Sequence, residues 1–84
     1  PTVLNMIDPA RSTVQLLMDI YKSDNFNITL YDFLGNKIKD IYNSELNKGR
    51  HDFDISLNQY SQSFYLLVII SNSKIESRKI IKHF

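Results

Sequence analysis

The stretch SFYLLVIISNSKIESRKIIKHF, Ser63 to Phe84, decides how the rest of the chain is read. An apolar run from Phe64 to Ile70 has the length of one strand, a polar turn from Ser71 to Lys74 follows, and Ile75 to Ile81 then alternates isoleucine with charge. This pattern predicts a β-hairpin at the end of the chain. Terminal residues stay loose unless something ties them down. Ile80, Ile81 and Phe84 therefore point to an end that is built into a core, read by a partner, or both.

Upstream of the hairpin the same period of two recurs, and no helical stripe longer than about two turns stands out. Strands are expected over Thr2 to Ile7, Thr13 to Tyr21, Asn27 to Phe33, Lys37 to Tyr42 and Arg50 to Ile55. Val14, Leu16, Met18 and Ile20 share one face of the second, and Ile28 and Leu30 alternate with Thr29 and Tyr31 in the third. Asp8-Pro9 is a turn in which proline removes a ladder donor, and Lys22 to Asn25 is a polar reversal. Gly35 supplies the positive φ that a tight hairpin demands, and Gly49 falls at the next predicted reversal, SELNKG. A loop from Ser56 to Gln62 leads into the hairpin. With the hairpin, this makes about seven strands at intervals of roughly a dozen residues, the pattern of an all-β, antiparallel, Ig-like sandwich.

The chain of 84 residues is sized for one small domain. It has no cysteine, so neither a disulfide framework nor a thiolate metal site is available. Ten basic against nine acidic residues leave a net charge of +1, which argues against a nucleic-acid partner. No apolar run reaches the roughly 18 to 20 residues of a membrane helix. Pro1 stands where an initiator Met would be, so the chain reads as a single domain, residues 1–84, cut from a longer protein.

Few residues qualify for chemistry. Asp52 and Asp54 share a strand face about 6 to 7 Å apart, but calcium takes six to eight oxygens, and a solvated polar face accounts for the pair as well. His51 has no carboxylate on its own face and His83 lies beside the terminus, so no catalytic triad assembles from local sequence. The isolated glycines make no phosphate-cradling loop. The five tyrosines and five phenylalanines fall mostly where strands must bury something, which reads as core packing rather than base stacking. No enzyme activity, metal or cofactor is expected of the chain. The charges of the last strand have a plain reading too, because charged edge strands resist aggregation.

Four segments occur in a telling order: IDPARSTVQL from Ile7, ITLYDFLGNKI from Ile28, LNKGRHDFDISL from Leu46, and FYLLVIISNSKIESRKIIK from Phe64. In this the chain resembles the C-terminal sorting domain, type A, of proteins exported by the type IX secretion system of Bacteroidetes. Asp8-Pro9-Ala10 matches the family's opening, Tyr31 to Gly35 its hairpin, and Gly49-Arg50-His51 with Asp54-Ile55-Ser56 its next strand. Tyr65 matches the family tyrosine and Lys79-Ile80-Ile81-Lys82 the closing motif. Three positions depart from the pattern. Asp8 stands for the usual asparagine, Ser63 for a glycine, and Val68 for a lysine or other polar residue.

The resemblance implies a sorting signal for an attached cargo, recognised by the outer-membrane translocon and usually removed by a sortase-like peptidase, with the cargo secreted or held at the cell surface. It places recognition on Lys79, Ile80, Ile81 and Lys82, with Asp32 and Gly35 shaping a neighbouring turn, and it treats Lys79 and Lys82 as surface charge. It also turns Tyr65, Leu67 and Ile69 inward, which sends Phe64, Leu66 and Val68 outward as a patch covered by a partner, by weak self-association or by the Tyr60 loop. Two rivals remain at this point: an adhesive or carbohydrate-binding module with exposed aromatics, and an uncleaved docking domain of a secretion or maturation component.

Overall fold

The computed structural model describes residues 2–72 and 74–82, so the expectations placed on Phe84 and His83 lie outside the described residues. Seven strands form: β1 (Thr2–Asp8), β2 (Thr13–Ile20), β3 (Asp24–Asp32), β4 (Lys37–Leu46), β5 (Gly49–Ser56), β6 (Phe64–Ser71) and β7 (Ile75–Ile81), with a short 3-10 turn at Pro9–Arg11. All pairings are antiparallel. A three-stranded sheet in the order β1-β2-β5 packs on a four-stranded sheet in the order β4-β3-β6-β7, which is the expected sandwich.

Alternation explains why the sheets meet. Val14, Leu16, Met18 and Ile20 of β2 face Ile28 and Leu30 of β3 and Tyr65, Leu67 and Ile69 of β6, all buried in one cluster. Each such side chain contributes on the order of 1.5–3 kcal/mol by leaving water. At one margin of the sandwich the Tyr42 and Phe53 rings meet in a tilted contact, centroids 5.3 Å apart, joining β4 to β5. At the other, Arg78 of β7 donates to the Thr2 carbonyl of β1 at 3.3 Å.

Two expectations are corrected. Leu46, read as part of a turn, is a buried core residue, and its burial carries β4 beyond Tyr42. Its partner in register is Asp24, so β3 starts there and the polar reversal shortens to residues 21–23. Thr29, which alternates with the core residues Ile28 and Leu30, is itself buried beneath its neighbours, its hydroxyl 2.6 Å from Asn27 Oδ1 and 3.3 Å from Asp40 Oδ1. The cause lies in β4, where register shifts at Ile41 and Ile38 insert two bulge residues that both pack on the core.

Candidate functional site

Antiparallel pairing brings the motif residues to one pole of the sandwich. β3 ends there at Asp32, β4 and β6 begin there, and β7 ends there at Ile81. The loop after β5 joins them, because the Leu57 amide donates to the Ser12 carbonyl at 3.0 Å and the Lys82 amide to the Ser63 carbonyl at 2.7 Å.

Asp32 organises the hairpin between β3 and β4. Its Oδ1 accepts the amides of Leu34 at 3.0 Å and Asn36 at 2.9 Å, and its Oδ2 accepts the Asn36 side-chain amide at 3.3 Å. The Gly35 amide donates to the Asp32 carbonyl at 3.1 Å, and Gly35 turns at φ +89°, the positive φ expected of it. The Asn36 amide, foremost among these donors, holds the Asp32 carboxyl below its ordinary pKa.

The closing motif divides by parity. Ile80 is buried opposite Tyr65, whereas Lys79 and Ile81 face outward, with the Lys79 ammonium 4.8 Å from the centre of the Phe64 ring. Lys82, expected as surface charge, is only 7% exposed. Its Nζ donates to the Leu57 carbonyl at 3.0 Å and to the Tyr60 carbonyl. Strand alternation turns it under the loop, and an ammonium with three donors can satisfy the carbonyls that a non-repetitive loop leaves over. The loop is held at Gln62 as well, whose carbonyl accepts the Tyr65 hydroxyl at 2.7 Å.

Phe64 and Leu66 are exposed on the outer face and Val68 is half-buried there, in register between Thr29 and Ser77. The Tyr60 loop does not cover them. Tyr60 packs on the core side, its ring 6.2 Å from that of inward-facing Tyr65. Sequence reasoning passed over Phe33 and Leu34 at the tip of the Asp32 hairpin, although they are 65% and 68% exposed. The available signal was two large apolar residues at positions where turns favour Gly, Pro, Asn, Asp and Ser.

The other candidates stand apart. Asp52 and Asp54 are exposed on the outer face of β5, and His51 Nε2 donates to the Asn47 carbonyl at 2.7 Å. Among the described residues no cluster of His, Cys, Asp or Glu is arranged to hold a metal. Tyr21, the most exposed aromatic among the described residues, lines a groove of about 590 Å³ at the opposite pole from Phe33 and Phe64, so the exposed aromatics among the described residues form no common platform.

The arrangement is a small sandwich whose distinctive residues gather at one pole around two turns and the last strand, with no assembled reaction centre among them. The model of the secretion system C-terminal sorting domain matches residues 8–83, and the chain belongs to this family, the sorting domains of the Por, or type IX, secretion system. Its family role is that of a secretion signal rather than a catalyst, which ties it to the secretion machinery and to a secreted or cell-surface cargo. No curated protein and no solved structure matches the chain.

Proposed function

We propose that this domain is carried at the C-terminal end of a longer protein and directs that cargo through the outer-membrane translocon, after which a sortase-like peptidase separates the two. The contact surface is the outer face of the β6–β7 hairpin. Lys79 and Ile81 supply its specific side chains, Phe64, Leu66 and Val68 its apolar floor, and Asp32 with Gly35 the neighbouring turn. Ile80 and Lys82 serve the same surface from beneath by seating the strand.

The observation that carries this reading is the parity of the closing motif: the two residues that strand geometry turns outward, Lys79 and Ile81, lie on the face that holds the exposed Phe64 and Leu66. A receptor reading alternate side chains of a strand would meet this row directly. The test is secretion of a reporter fused to the domain in a type IX-competent host. Lys79→Glu with Ile81→Ser is expected to retain the reporter in the cell while the purified domain melts as wild type. Normal secretion of the double variant would place recognition elsewhere.

A further inference from the structure

We infer that the Phe33–Leu34 tip is the apolar anchor of the interaction, inserted into an apolar pocket of a folded partner protein. The inference rests on the sorting role proposed above and names the residues and the partner chemistry that it requires.

The tip is built to be rigid. Asp32 accepts the amides on both sides of Gly35, from Leu34 and Asn36, and a backbone bond of 2.9 Å from the Asp32 amide to the Asn36 carbonyl closes the turn. A turn held this firmly loses little freedom on binding, and preorganised large apolar side chains make effective interface anchors. Solubility alone would place polar residues here. The tip also leaves the sheet at the pole of the outer-face residues: β3 ends at Asp32, in register with Tyr65, and the next residue of β6 toward that pole, Phe64, faces Ile81.

The local charges favour a protein pocket over a lipid surface. Apolar tips that enter anionic membranes are flanked by free cations. Here the charge at the base of the turn is the Asp32 carboxylate, Lys37 is bound to Asp40 at 2.8 Å, and the Lys79 ammonium lies over the Phe64 ring at 4.8 Å. A second copy is also disfavoured. The groove of about 590 Å³ lies at the opposite pole, so a tip-to-groove contact would be head-to-tail, giving rings or filaments rather than a self-complementary dimer.

Three forms of the reporter fusion test this: Phe33→Ser with Leu34→Ser, the conservative Phe33→Leu with Leu34→Met, and deletion of the whole domain. The polar pair is expected to lower secretion at least tenfold at an unchanged melting temperature, and the conservative pair to restore it. Should the polar pair melt early, the single variants Phe33→Ser and Leu34→Ser at matched stability carry the same comparison. Wild-type secretion by the polar pair, with deletion blocking export, would overturn the anchor and leave the sorting role standing. Undiminished secretion after deletion would overturn both. Tip-dependent sedimentation of the isolated domain with phosphatidylethanolamine and phosphatidylglycerol vesicles, or tip-dependent polymerisation, would overturn the protein pocket in favour of lipid or a second copy.

Discussion

Lys82 Nζ donates 3.0 Å to the carbonyl of Leu57, a residue fully buried at the start of the loop after β5. One side chain beyond the last strand thereby holds the segment that closes the motif pole. Without Lys82 the Leu57 carbonyl keeps the Tyr60 amide, and the Tyr60 carbonyl loses the ammonium, a loss that costs about 1–3 kcal/mol for a carbonyl shielded from water. Lys82→Met is expected to lower stability in urea by about that amount and to speed exchange of the Tyr60 amide, which bonds the Leu57 carbonyl at 3.1 Å. Lys79→Met, on the outer face, is expected to leave that exchange rate unchanged. Equal effects of the two variants would remove the clamp from the account.

The two faces of β6 can be separated at adjacent positions. Leu67 is 0% exposed and Leu66 is 39% exposed. Leu67→Lys puts an unpaired charge in the core and is expected to unfold the domain. Leu66→Lys is expected to change stability by no more than about 1 kcal/mol. Circular dichroism through a urea titration checks both, and a reversed order would invert the sheet.

The glycines give an ordered pair. Neither would place a new Cβ against another atom, so the cost of alanine comes from the backbone alone. Gly35 lies at φ +89° and Gly49 at φ +133°, the latter in territory that is nearly glycine's own. Gly35→Ala is expected to cost about 1–2 kcal/mol and Gly49→Ala more, up to about 3 kcal/mol, read from thermal or urea unfolding.

Asp32 makes the hairpin sensitive to acid. Its folded pKa is lowered, first by the Asn36 amide, so its contribution is complete above the unfolded value and disappears as pH falls through the folded one. Thermal unfolding across the acid range should show wild type losing its advantage over Asp32→Asn in that window. Carboxyl carbon shifts in NMR should place the Asp32 midpoint below that of an unstructured aspartate. An ordinary midpoint would contradict the turn geometry.

The amino-acid sequence alone determined the class of fold and the strand count, because a period of two separates the faces of a strand wherever one face is buried; the inward row Tyr65, Leu67 and Ile69 came from the family resemblance, since Phe64 to Ile70 is apolar on both faces. The sequence also placed both glycines at reversals and expected the positive φ of Gly35, since few residues tolerate that backbone. Local pattern carried the family motifs as well, in an order that the match over residues 8–83 then confirmed. Tertiary structure decided what that pattern could not contain. Leu46 is core because the opposite sheet reaches it, Thr29 is covered because β4 bulges beside it, and Lys82 is buried because a loop some 25 residues earlier offers it carbonyls. The exposure of Phe33 and Leu34 belongs to the same kind. A side chain's burial depends on what other segments bring to it, and that becomes definite only when the sheets have packed.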